Sequence, residues 1–381
     1  MDQEKKTSRI SSIDMLRGLV MLIMLVDHVR ERFFSHNVIT DPLTIHEISS
    51  SLFFTRLSAH LCAPIFVFLT GLSAWLYSNP QNKPPRSATS FLLKRGLFLV
   101  LLEITLINFS WFGAYHTLYL QVIWAIGISM ICLAGVSRLP RIWIGIMGVL
   151  IVFGHNALSF ISFEPTEIGY SLWTILHDRG YLINNSIISI KASYPVLPWI
   201  GVILLGYFSG PLYAKSMIAA KRQKILIIAC ISSLTTLLIL RGFNIYGETL
   251  AWQVQESFLK SVMSFLNYTK YPPSLDYLLF TLGIGCLLLY CFERVNYKWL
   301  HIAKTYGSAP MFFYIIHLYV LLVLYKISML VFGPNQGDVF GVNYVYELWL
   351  ISMILSAILY FPTKMFSDYK RKSSSKLIKY F

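Results

Sequence analysis

MLIMLVDHVRERFF, residues 21–34, opens with six residues that could dissolve in lipid and closes in a cluster of charge. Asp27, His28, Arg30, Glu31 and Arg32 place five ionisable groups within six positions. If the apolar part is the end of a membrane helix, Asp27 and His28 either mark its exit or lie just below the surface as chemistry. The surrounding chain decides for a membrane. Of its 381 residues 56% are hydrophobic and only 13% charged, with a mean hydropathy of +0.60. A soluble protein carries about 25% charged residues, and repeated apolar runs near the roughly 20 residues needed to cross a bilayer set a large soluble α-protein aside.

The expected fold is therefore all-α, a polytopic helical membrane protein. Apolar runs suggest ten spans near 13–34, 53–77, 92–112, 117–136, 142–160, 195–213, 224–240, 276–292, 309–332 and 344–366. SNPQNKPPRS, SRLPR and TKYPPS punctuate the breaks. The two termini and the connecting segments on their side hold 22 of the 32 Lys and Arg residues, whereas the opposite loops hold seven. That asymmetry places both termini in the cytoplasm and requires an even number of spans. The net charge of +14 thus belongs to loops and to a basic tail, 367–381, facing anionic lipid, and no nucleic-acid partner is expected. The polar N-terminus lacks a signal-peptide pattern. Cys62, Cys132, Cys230, Cys286 and Cys291 all fall in apolar runs and read as small buried hydrophobes. Of the two long outer loops, 161–194 and 241–275, the first is partly amphipathic and suits either the outer interface or a cap over a cavity. No short repeat or soluble domain is visible, so residues 1–381 read as one integral membrane domain.

Ionisable groups inside spans are costly and functional by default. Here the polar groups inside spans are Asp14, Arg17, Asp27 and His28 in the first span, Arg56 and His60 in the second, Lys94, Arg95, Glu103 and the neutral Asn108 in the third, and His317 and Lys326 in the ninth. Arg17 and His28 are three turns apart and share a face, about 16 Å along the axis. Asp27 and His28 point about 100° apart and cannot pair with each other. His28 should find its partner on the second or third span, where His60 lies at a similar depth and Asp27 or Glu103 could supply a carboxylate. Snorkelling accounts for Arg30, Glu31 and Arg32, and an interhelical hydrogen bond would account for His317. A zinc site from His28, Glu31 and His60 is a weak pattern, and no metal is expected.

RISSIDMLRGLVMLIMLVDH followed by HLCAPIFVFLTGLSAWLY resembles the bacterial relatives of heparan-α-glucosaminide N-acetyltransferase, in outline a transmembrane acyltransferase. FLLKRGLFLVLLE, LQVIWAIGISMICLA, YPVLPWIGVILLGYFSGPLY, RGFNIYG, FLNYTKYPPSLDYLLFTLG and APMFFYIIHLYV extend the likeness over about residues 9–320. The resemblance implies an enzyme that moves an acetyl group from cytoplasmic acetyl-CoA to a sugar amine or hydroxyl of an extracytoplasmic glycan or glycolipid. Its catalytic histidine falls among His28, His36, His46 and His60, with His28 and His60 preferred because they lie within the motifs. A histidine suits either general-base or nucleophilic transfer. Asp27 and Glu103 join the candidate catalytic set. Arg17, Lys94 and Arg95 are the candidate cations for CoA phosphates, with Asp14 and His317 beside them and Lys83 and Arg86 as looser choices. Arg56, Arg241, Asn244, Tyr246, Lys270 and Tyr271 are candidates for acceptor binding. The expected partners are membrane lipid and the acceptor, with a homo-oligomer left open. The rival readings are a proton-coupled transporter or flippase, using Arg17, His28, His60 and Glu103 as a relay, and a non-catalytic membrane subunit.

Overall fold

The computed structural model describes residues 10–37, 39–185, 188–295, 298–375, 378 and 381. Lys5, Lys6 and Arg9 of the basic N-terminus, and Lys376 and Lys379 of the basic tail, lie outside the described residues. In chain order the elements are α1 (Ser11–Phe33), α2 (Ser50–Ala59), α3 (Cys62–Ser78), α4 (Thr89–Leu102), a π turn (Glu103–Ile107), α5 (Asn108–Phe112), β1 (Thr117–Leu120), α6 (Val122–Val136), α7 (Arg141–Gly154), α8 (Tyr170–Leu176), β2 (Gly180–Asn184), β3 (Ser189–Ala192), α9 (Leu197–Phe208), α10 (Ala219–Gly242), α11 (Phe258–Phe265), α12 (Leu275–Arg294), α13 (Lys298–Ser308), α14 (Pro310–Phe332) and α15 (Val345–Lys372).

A helix falls in each of the ten expected spans. Among the described residues, six stretches are long and apolar enough to cross a membrane: Ser50–Ser78, Arg141–Leu158, Ala219–Gly242, Leu275–Arg294, Pro310–Phe332 and Val345–Lys372. α6 and α9 are shorter apolar helices. α1 stands outside these groups because Asp14, Arg17, Asp27 and Arg30 interrupt its apolar face, and it is the central helix, touching α2, α3, α12, α13, α14 and α15. Burying so polar a helix inside the bundle lets its ionisable groups find partners away from lipid.

Three local differences from the expected pattern have physical causes. The all-α expectation gives way to a mostly helical fold with one small sheet in the order β1-β3-β2. The span expected from 117 starts as strand, because Thr117–Leu120 pairs in parallel with Ser189–Ala192, which in turn pairs antiparallel with β2. The loop 161–194 is thus folded into α8 and two strands rather than lying as one amphipathic segment. The connector 293–308 contains α13, whose Leu300, Ala303 and Tyr306 at intervals of three form a buried face. That face meets α1 at two glycines. A Cβ on Gly18 would lie 1.7 Å from the Ala303 carbonyl oxygen, and one on Gly307 would lie 1.8 Å from that of Asp14. Small residues that let backbones approach this closely are the usual glue between helices in membranes.

Candidate functional site

α1 forms one wall of a cavity of about 290 Å³. From its N-terminal end, Arg17, Met21, Met24, Asp27 and His28 face this space in turn. Arg95 on α4 and Lys370 on α15 join Arg17 at one end; Tyr194 and Lys270, on the two long loops, join Asp27 and His28 at the other. Between them the lining is mainly apolar, from Ala63, Phe66, Leu99, Ile126 and Met311. The eleven residues from Arg17 to His28 set the ends about 16 Å apart along the helix.

At the cationic end Arg17 donates to Asp14 at 3.0 Å, to the Gly307 carbonyl at 3.3 Å and to Ser73 at 3.2 Å. Asp14 and Ser73 thereby hold the guanidinium in place. Lys94 is exposed and does not line the cavity, although its neighbour Arg95 does. Consecutive helical residues point about 100° apart, so one of the two had to turn away.

At the other end His28 is buried, with Nδ1 2.7 Å from Nε2 of His317 on α14. The two rings are nearly parallel, at 10°, and the Trp111 and Tyr314 rings approach His28 edge-on with centroids 5.1 and 5.8 Å away. His317 Nδ1 donates in turn to the Phe313 carbonyl at 2.7 Å. The partner expected on the second or third span is therefore supplied by the ninth. His60 caps α2 at its junction with α3, its ring 5.0 Å from Tyr277 and both ring nitrogens without a hydrogen-bond partner. No contact joins it to His28 among the described residues. Glu103 begins the π turn and accepts from the Trp124 backbone N–H at 3.0 Å, so it is not the carboxylate that orients His28.

Asp27, as its position on the helix requires, pairs elsewhere. It accepts from Arg30 at 2.9 Å and Lys270 at 3.5 Å. Burial alone would lower the Lys270 pKa, but the Tyr271 phenol and the Asp27 carboxylate beside it outweigh that and hold the ammonium above its ordinary value. The Lys270 loop is fastened by Asp41, which binds Arg56 at 2.8 Å and the backbone N–H groups of Lys270 and Tyr271 at 3.1 and 2.8 Å. The Tyr194 and Tyr271 hydroxyls meet at 2.9 Å, and Arg179 lies over the Tyr271 ring. Burial raises the Tyr194 pKa well above the phenol value, so its hydroxyl keeps its proton.

The motif RGFNIYG does not reach this group. Arg241 is 1% exposed and donates to the carbonyls of Leu250, Phe265, Ser264 and Asn267, an arrangement that staples a loop. Asn244, at φ 49°, bonds the Trp252 backbone through both ends of its amide. Tyr246 accepts from the Ala157 backbone N–H and donates to the Phe153 carbonyl. The sequence reading missed Asp41, Tyr194, Trp111, Tyr314 and Lys370. Only Tyr314 had a signal, since it lies three residues before His317 on one helix face.

Among the described residues no group of three or more His, Cys, Asp or Glu side chains is arranged to hold a metal ion. The pattern of the protein family described as heparan-alpha-glucosaminide N-acetyltransferase, catalytic, matches residues 9–241, which carry α1 to α9 and, of the cavity lining, Arg17, Arg95, Asp27 and His28. A search among curated proteins finds no match.

Proposed function

We propose, since the chain belongs to the heparan-alpha-glucosaminide N-acetyltransferase catalytic family, that it is a multi-pass membrane acetyltransferase. It takes its acetyl group from cytoplasmic acetyl-CoA at the Arg17 end and delivers it to a sugar amine or hydroxyl of an extracytoplasmic glycan or glycolipid at the His28 end. One observation carries this reading: a single cavity is lined by Arg17, Arg95 and Lys370 at one end and by Asp27, His28 and Lys270 at the other. The fit to the donor is one of charge and length. Guanidinium groups suit phosphate oxygens. The thirteen bonds between phosphorus and sulfur in CoA span about 15 Å when extended at roughly 1.2 Å per bond, close to the Arg17–His28 separation of about 16 Å. The mainly apolar middle suits the pantetheine arm.

His28 then works as a general base. It takes the proton of the acceptor hydroxyl or amine as that group attacks the thioester carbonyl carbon, and returns the proton to the departing thiolate. Tyr194 and Lys270, protonated, are donors available to the acceptor. The cytoplasmic termini rest on the distribution of Lys and Arg, and the inner-membrane location rests on the resemblance to bacterial relatives of the family.

Donor binding tests the assignment. CoA binding to the purified chain in detergent should weaken about tenfold or more in Arg95→Gln and Arg17→Gln, the loss expected when a charge-assisted hydrogen bond is removed. Unchanged affinity in both variants would move the donor elsewhere. A transporter would bind no CoA and move its substrate unacetylated.

A further inference from the structure

We infer that His317 is a positioning residue that fixes the tautomer of His28, so that Nε2 is the nitrogen of His28 that works on substrate. The inference rests on the acetyl-transfer reading for its chemistry, but its geometry stands alone. The Phe313 carbonyl can only accept, so the 2.7 Å contact requires His317 Nδ1 to carry the proton. His317 is wholly buried, and among the described residues its only hydrogen-bond partners are that carbonyl and His28, with no carboxylate paired to it. A cationic ring there would be a buried ion without a counter-charge, so the resting imidazole is neutral. With Nδ1 protonated, its Nε2 holds a lone pair. The second 2.7 Å contact then needs a donor on the other side, and that donor is His28 Nδ1–H. Neutral His28 is left with a lone pair on Nε2.

That nitrogen makes no hydrogen bond to any described residue, and the ring belongs to the cavity lining. Trp111 and Tyr314 close on the same ring edge-on, so it has two steric walls as well as a hydrogen-bonded anchor. The order is Phe313 carbonyl, His317, His28, cavity. A buried acceptor that holds an imidazole in one tautomer and steadies the imidazolium formed during reaction is the role an aspartate plays in hydrolase triads. Here a neutral histidine, itself oriented by its own helix, takes that role. As the acceptor oxygen or nitrogen bonds to the acetyl carbon, its proton passes to His28 Nε2 while Nδ1–H stays donated to His317. The C–S bond breaks, the CoA sulfur takes the proton from Nε2, and both rings return to their starting tautomers.

The test combines spectroscopy of the full chain with activity. Ring-¹⁵N histidine labelling in detergent micelles, with His28 assigned through His28→Gln, should show a protonated Nδ1 and a bare Nε2. In His317→Phe, which keeps a ring but offers no acceptor, both tautomers should appear and acetyl transfer should fall roughly a hundredfold. His317→Gln, whose amide oxygen can stand where Nε2 stood, should recover at least a tenth of wild-type activity. A bare Nδ1 in the unsubstituted chain, or a His317→Gln variant no more active than His317→Phe, would overturn the inference. An unsubstituted chain that transfers no acetyl group would instead remove the enzyme reading, while the tautomer would still decide the role of His317.

Discussion

His28 and His60 looked equivalent in the sequence, each a histidine inside a matching motif near one depth of the membrane. The structure separates them by where their rings point. His28 lines the cavity and is anchored by His317; His60 turns onto Tyr277, and its nitrogens touch no polar group. His28→Ala is therefore expected to lower acetyl transfer by at least about 10²-fold, the usual scale of a lost general base. His60→Gln should stay within about threefold of wild type on the same assay, since a group outside the cavity supplies none of the acid–base step. Equal losses would reverse the assignment. The divergence of Asp27 from His28 was legible, because it follows from helix geometry alone. His317 as the partner was not, since a contact across 289 residues leaves no local trace.

Helices carry the next layer, and α13 shows what local pattern can and cannot reveal. Its buried face of Leu300, Ala303 and Tyr306 is readable at helical spacing, but its charges at Lys298 and Lys304 favoured a loop. What the pattern could not tell is that Gly307 lies under the Asp14 carbonyl and Gly18 under that of Ala303, fixing the end of α1 that presents Arg17. Gly307→Ala forces these backbones apart, an overpacking that costs about 1–3 kcal/mol. It should appear as a lowered melting temperature in detergent with weaker CoA binding. A variant with an unchanged melting temperature and normal affinity would show that the close approach does not matter. The motif RGFNIYG makes the converse point. Arg, Asn and Tyr in an outer loop suggested a binding surface, yet Arg241, Asn244 and Tyr246 all bond backbone groups and so hold the loop's own fold.

At the scale of the molecule, hydropathy and charge placed ten helical segments and proposed their orientation, because those signals are additive along the chain. The small sheet escaped, since four-residue strands carry little periodicity and β1 finds its partner some seventy residues on. The cavity escaped for a related reason: its lining comes from α1, α2, α3, α4, α6, α14, α15 and two loops, and only folding brings them together. In the proposed reaction this space is the path of an acetyl group from a cationic end to His28. Sealed vesicles with acetyl-labelled acetyl-CoA supplied only on the Lys- and Arg-rich face test that claim most directly. Label should appear on an acceptor at the opposite face and be lost in His28→Ala; label that never crosses, or that crosses equally well in His28→Ala, would contradict such a path.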